Sequence, residues 1–323
     1  MLGVMATGVA SRPTVLLDCD PGHDDAIAIV VATHHAELVG ITTVAGNAPL
    51  SATTHNARVV RDLVGVDVPI HAGAERPLVA EPKHADFIHG DSGLDGADLP
   101  EPTTPLDGTD APAFIVESSR RHDDLWLVPT GPLTNIALAL RADPDLAARL
   151  AGISLMGGGT YGNRTAAAEF NIWADPEAAA EVFSCGAPIV MAGLDVTHRF
   201  QATPPRVDAL RAVGGRLAEV LADLLVFFSA RYGELHDDGV MVGGAVHDPL
   251  AVLALTHPDL FTSVRRHVAV ETAGALTRGM TLIDQRRLVE RPAPNTTVLL
   301  DVDADAAFAV VVDAVRAAAG RRP

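Results

Sequence analysis

Thr14-Val15-Leu16-Leu17-Asp18-Cys19-Asp20-Pro21-Gly22-His23-Asp24-Asp25-Ala26-Ile27-Ala28-Ile29-Val30-Val31-Ala32 is the stretch from which the fold can be read. Thr14 to Leu17 is a short apolar run of strand type, and Ala26 to Ala32 continues as an apolar helix. Four acids in the eight residues from Asp18 to Asp25 therefore fall where a strand ends and a helix begins. In open α/β sheets that edge carries the ligand crevice. Mutual repulsion makes so dense a cluster costly unless a cation neutralises it, and hard oxygen donors suit Ca²⁺ or Mg²⁺ rather than a soft metal. The plainer account is that Asp24 or Asp25 favours a helix N-terminus and Pro21-Gly22 is an ordinary turn. Four acids together favour a metal-dependent site.

Outward from this segment the same alternation repeats. Strand-like Val39 to Val44 precedes helical Thr53 to Leu63, Leu125 to Val128 precedes Leu133 to Leu140, Ile153 to Met156 precedes Pro176 to Phe183, and Ile189 to Ala192 follows. The expectation is an α/β protein with a Rossmann-like open, mostly parallel sheet and helices on both faces. Short connections favour one domain over residues 14–323, with residues 1–13 as a flexible N-terminal tail. Beyond Ala202 the pattern turns helical through Ala230, strands are expected near His267 to Glu271 and Thr297 to Val302, and a helix over Asp305 to Ala318. Two stretches are too long for mere connectors: Pro82 to Pro105, and the polar run Tyr232 to Gly244.

At 323 residues the chain can bury a substantial core, and 48% hydrophobic with 20% charged residues is ordinary for a globular protein. A formal net charge of −17, with Lys83 the only lysine, argues against a nucleic-acid partner. Cys19 and Cys185 form no CxxC or zinc set, which points to a reducing, cytoplasmic setting. Neither a secretory leader nor a membrane span is expected.

Several later motifs share the strand-to-helix position. In Val128-Pro129-Thr130-Gly131-Pro132-Leu133-Thr134-Asn135 the Thr130 carbonyl can face the sheet edge, or Thr130 or Thr134 simply caps the next helix. Asn47 of Ala45-Gly46-Asn47 either binds a ligand or makes an Asx turn. Met156-Gly157-Gly158-Gly159 lacks the Lys and Ser/Thr of a phosphate loop. Asp175-Pro176 reads as an N-cap with Pro at the first helical position, leaving Glu169 and Asn171 before it unexplained. Asp248-Pro249 after His247 has the same form, and Asp248 could add an oxygen ligand.

Together, Asp18 to Ala26, Ala45-Gly46-Asn47, Pro129 to Asn135, Met156 to Gly159, Glu169-Phe170-Asn171 through Ala178, and Val246-His247-Asp248-Pro249 resemble, in order, the nucleoside hydrolase family of the inosine-uridine-preferring type. The resemblance implies hydrolysis of the N-glycosidic bond of ribonucleosides to free base and ribose, as in purine and pyrimidine salvage, by a homotetramer or homodimer holding one Ca²⁺. It implies Asp20, Asp25, Asp248 and the Thr130 carbonyl as metal ligands. Asp24, Asn47, Glu169 and Asn171 would bind ribose beside Met156. Asp20 would be the general base and His247 the acid for the departing base. An oxocarbenium-like transition state agrees with so much negative charge around ribose. His89, Tyr232 and His236 are further substrate contacts, and purine against pyrimidine preference stays open. The rivals are a non-catalytic Ca²⁺-dependent nucleoside or ribose binder and a haloacid-dehalogenase-like phosphatase. The latter fits Pro21-Gly22-His23-Asp24-Asp25 poorly.

Overall fold

The computed structural model describes residues 12–235, 242–287 and 290–320. The expected tail up to residue 11, and His236 with it, lie outside the described residues.

The described residues form ten strands: β1 (Thr14–Cys19), β2 (Glu37–Thr43), β3 (Ile70–Ala72), β4 (Trp126–Pro129), β5 (Gly152–Met156), β6 (Ile189–Ala192), β7 (Phe261–Arg266), β8 (Val268–Val270), β9 (Thr281–Ile283) and β10 (Thr296–Val302). Eight of them make one sheet in the order β3-β2-β1-β4-β5-β6-β10-β7, and β8 pairs with β9 separately. Every pairing in the large sheet is parallel except β10 with β7. The strand order runs leftward from β1 through β2 to β3 and rightward from β4 onward. The chain thus reverses direction between β1 and β4, the switch point at which doubly wound sheets open a crevice.

β1 is buried along its whole length, which is why it carries no in-out alternation. Two apolar layers flank the sheet. One centres on the helix His23–His35, whose residues His23 to Thr33 are all buried, with Leu221 and Val311 packed against it. The other joins Leu16, Ile136, Ile153 and Val182. The helix expected over Asp305 to Ala318 runs Ala304–Ala319. β3, β7 and β9 are additions to the sequence reading. They are short or half-exposed strands, so their apolar signal is weak. No helix among the described residues is long and apolar enough to cross a membrane.

The long Pro82 to Pro105 connection is held down from below. Arg61, only 2% exposed, donates to the carbonyls of Val68 (3.2 Å) and Pro105 (3.0 Å) and to the Asp107 carboxylate (3.0 Å). Replacing this buried cation by Met removes three hydrogen bonds and the charge partner of Asp107, whose Oδ2 keeps only the Ile70 amide at 2.8 Å. Arg61→Met is therefore expected to lower stability by about 3 kcal/mol. A urea melt should show a lower midpoint at unchanged slope, and a midpoint equal to wild type would mean that the segment is anchored elsewhere.

Candidate active site

The loop from β1 to the first helix sets the geometry. The helix begins at His23, so Asp24 and Asp25 occupy its first turn, where the unpaired N–H groups favour negative charge. The Gly22 amide donates to Asp25 Oδ2 (2.9 Å) and the Thr130 hydroxyl to Asp25 Oδ1 (2.8 Å). Asp20 Oδ2 accepts the Asn47 amide at 2.6 Å, and Asn47 Nδ2 donates back to the Asp20 carbonyl at 3.2 Å. Asn47 thus braces the acid loop. Gly46 and Gly131 lie flat against Asp20, and a Cβ at either would run into its carboxylate. Asp24 Oδ2 accepts the His247 amide at 3.1 Å, which ties the first motif to the last.

One oxygen from each of Asp24, Asp25 and Asp248 lies within 4.8 Å of the others, and all three residues are buried. This group can hold a metal ion. Burial, and then the charge of Asp25, lifts Asp24 to about 7 and Asp20 well above the ordinary carboxylate range. Asp248 is raised by burial and by Asp24, Asp25 and Asp20. Asp20 Oδ1 is buried with no hydrogen-bond partner among the described residues. Orphaned oxygen and clustered acid both fit a hard cation, which would favour the ionised form of every carboxylate in the group.

Asp18, the first of the four acids, takes a different part. It lies inside the sheet, accepting from the Thr42 hydroxyl (2.6 Å) and Asn135 Nδ2 (2.7 Å), and burial lifts it to about 7. Asn135 also donates to the Thr43 carbonyl (3.0 Å) and accepts from the Ala74 amide (2.8 Å), so this network joins β1, β2 and the loop that follows β3.

A cavity of about 250 Å³ opens over the acids. Of the residues named from sequence, Asp24, Asn47, His89, Thr130, Met156, Glu169, Asn171, Tyr232, His247 and Asp248 line it. Asp20 and Asp25 do not border it; they reach it through Asn47 and Thr130. Asn171 Nδ2 donates to the carbonyls of Thr130 (2.7 Å) and Met156 (3.2 Å), so the Thr130 carbonyl keeps one lone pair free. Glu169 caps the helix Phe170–Ala174 through the Asn171 and Ile172 amides and accepts the Gly158 amide at 2.9 Å. Burial raises its carboxyl to about 7.

The opposite wall is a hydrogen-bonded chain. Tyr232 Oη lies 2.6 Å from His247 Nε2, and His247 Nδ1 lies 2.7 Å from the Thr197 hydroxyl. Sequence reading missed Thr197, which closes the short helix Leu194–Thr197 that follows β6. It also missed Phe87, Phe228, Asn163 and Arg164, which line the cavity from a short helix, a long helix and a loop without any motif.

The sequence model described as inosine-uridine preferring nucleoside hydrolase matches residues 15–309. The chain is 46% identical over 296 residues to the pyrimidine-specific ribonucleoside hydrolase RihA of Escherichia coli (strain K12), covering 90% of this chain and 94% of that one. RihA of Enterobacter sp. (strain 638) is likewise 46% identical over 294 residues, 90% and 93% of the two chains. Among solved structures, the purine-preferring ribonucleoside hydrolase from Gardnerella vaginalis superposes with a TM-score of 0.88 at 33% identity, covering 95% of this chain and 99% of that one.

Asp24 and Glu169 both have native values of about 7 against ordinary values of 3.8 and 4.5. Each therefore binds a proton in the folded state that the unfolded chain releases between roughly pH 4 and 7. The metal-free protein is expected to lose stability as pH rises through that window. Saturating Ca²⁺ should flatten or reverse the trend, because it binds the ionised carboxylates. Thermal melts at pH 5.5 and 8, in chelator and in Ca²⁺, check this; a metal-free protein more stable at pH 8 would contradict it.

Proposed function

This chain belongs to the inosine-uridine preferring nucleoside hydrolase family and is a ribonucleoside hydrolase, and we propose that it cleaves pyrimidine ribonucleosides to base and ribose with one Ca²⁺ at its acid cluster. The preference rests on the 46% identity to enzymes described as pyrimidine-specific. The convergence of Asp24, Asp25 and Asp248 oxygens within 4.8 Å beside the cavity carries the assignment of the reacting end.

Asp20, Asp25, Asp248 and the Thr130 carbonyl would hold the ion, whose bound state supplies a more acidic water and neutralises the cluster. Asp20 Oδ1, without a partner of its own, accepts the proton of the attacking water. Asp24 and Asn47 orient the ribose hydroxyls from one side, with Glu169, Asn171 and Met156 on the other. The surrounding carboxylates stabilise the positive charge that develops on the sugar as the C–N bond breaks.

The departing base needs a proton or hydrogen bonds at its ring atoms. His247 does not meet it alone: its Nε2 is taken by the Tyr232 hydroxyl, and Tyr232 lines the cavity. Burial pushes the Tyr232 phenol up from its ordinary value, so the hydroxyl stays protonated. A proton leaving His247 Nε2 thus reaches the base through Tyr232, while Thr197 steadies Nδ1.

For wild type, kcat/KM on uridine is expected to exceed that on inosine by at least about tenfold, a difference of roughly 1.4 kcal/mol. Equal values in a ribose-release assay would remove the pyrimidine preference. Asp20→Asn should lower kcat about a hundredfold or more on uridine, with calcium content measured alongside. His247→Ala and Tyr232→Phe should each slow uridine hydrolysis strongly yet leave a p-nitrophenyl riboside, whose phenolate departs unaided, nearly as good a substrate as in wild type. A parallel fall on both substrates would reject the proton chain.

A further inference from the structure

His23 stands in the acid motif yet has no part in the chemistry above. Its ring is fully buried, stacked on Phe227 (centroids 5.4 Å apart) and Phe228 (5.3 Å). Its two nitrogens have different partners: Nε2 lies 2.8 Å from the Asp95 backbone carbonyl, and Nδ1 lies 2.9 Å from Nδ1 of His89. A carbonyl can only accept, so the His23 proton sits on Nε2 and its Nδ1 offers a lone pair. Phe227 and Phe228 stack on the ring, and no carboxylate among the described residues forms an ion pair with it, so its two nitrogens share one proton. The Asp95 carboxylate is occupied by the Ser92 hydroxyl and the Asp91 amide. One proton is needed between the two Nδ1 atoms, and only His89 can supply it. The His23 amide also points at His89 Nδ1, but at 3.5 Å it is too long to outweigh the 2.9 Å ring contact.

We infer that His23 is a positioning residue that fixes His89 as its Nδ1–H tautomer, so that His89 Nε2 faces the cavity as a hydrogen-bond acceptor for an O–H or N–H donor of the bound nucleoside. His89 lines the cavity, and its Nε2 has no hydrogen bond among the described residues. Without the lock, either nitrogen could carry the proton, and Nε2 could present an N–H instead. In this arrangement His89 cannot protonate the departing base while uncharged, which leaves that task to the wall opposite. Only the nature of the donor rests on the ribonucleoside hydrolase reading. The ribose 5′-hydroxyl and the base N–H share the required chemistry, the other ribose hydroxyls facing Asp24 and Asn47 in that reading.

The tautomer can be read without substrate. In the full-length protein labelled with ¹⁵N-histidine, the His89 signals, assigned by their loss in His89→Asn, should show a protonated Nδ1 and a bare Nε2. A protonated Nε2 in wild type would overturn the inference, whether or not any variant folds. His23→Phe keeps a flat ring in the stack but removes the acceptor, and should move His89 toward the Nε2–H form; an unchanged His89 spectrum in that variant also overturns it. Kinetics then locate the donor. His23→Phe should raise KM for uridine about tenfold, the scale of one hydrogen bond. The penalty should vanish for 5′-deoxyuridine if the donor is the 5′-hydroxyl, or for 3-methyluridine if it is the base N–H. An equal loss on all three nucleosides would reduce His23 to a packing role, and no loss on any would remove the acceptor contact. Absence of hydrolysis in wild type would count against the proposed function and not against the tautomer.

Discussion

Five carboxylates, those of Asp18, Asp20, Asp24, Asp25 and Asp248, are buried at one edge of one sheet, and the architecture around them answers that constraint. An unpaired charge taken out of water is so unfavourable that it must be paired, hydrogen-bonded or neutralised by a proton. Among the described residues no Lys or Arg forms an ion pair with any of the five. What compensates instead is a set of oriented dipoles: the first turn of the helix His23–His35, the amides of Gly22, Asn47 and His247, and the hydroxyls of Thr42 and Thr130. Dipoles soften the repulsion without cancelling the net charge. A cation held by this group would complete the balance.

This explains why the site lies where it does in the fold. Only at the reversal between β1 and β4 do neighbouring strands send their following segments to opposite sides, leaving a gap that loops and helix ends can face. Asp20 leaves β1 there and Thr130 leaves β4, linked by the Thr130 amide to the Asp18 carbonyl at 2.8 Å. Gly46 and Gly131 let the two loops close on the Asp20 carboxylate without a side chain between them. The price is an apo fold that carries concentrated repulsion at its centre, as sites often do where function overrides local preference.

The two walls of the cavity follow different physics. The floor is acidic and rigid, held by backbone amides, and suited to stabilising positive charge on a sugar. The roof is aromatic and histidine-rich: Phe228 packs edge-on against Tyr232 at 5.0 Å, and His23 and His89 stack beside it at 5.1 Å. A low-polarity roof keeps imidazoles uncharged, as burial does for His23, held down at about 4. Proton positions there are then set by hydrogen-bond direction rather than by bulk pH.

Much of this was legible from residue order alone. Apolar runs and their period located most of the large sheet's strands and the main helices, because a doubly covered parallel strand must be apolar throughout. The acids between β1 and the first helix announced a ligand edge, and the ordered motifs from Asp18 to Pro249 identified the family. Local pattern could not tell apart residues that look alike along the chain. Asp175 and Asp248 both precede a proline at a helix start. Asp175 accepts the Ala178 amide and the Thr134 hydroxyl as a cap, whereas the Asp248 side chain makes no capping bond and joins the acid group. Asp18 and Asp20 are two residues apart, yet one is bound within the sheet and the other keeps an orphaned oxygen at the site. Sequence by itself determined which elements form and where their polar ends must gather, since burial and periodicity are local demands. The proton order from Asp95 through His23 to His89, and the meeting of Tyr232, His247 and Thr197, were decided only by tertiary structure, because hydrogen-bond direction depends on partners brought together from distant segments.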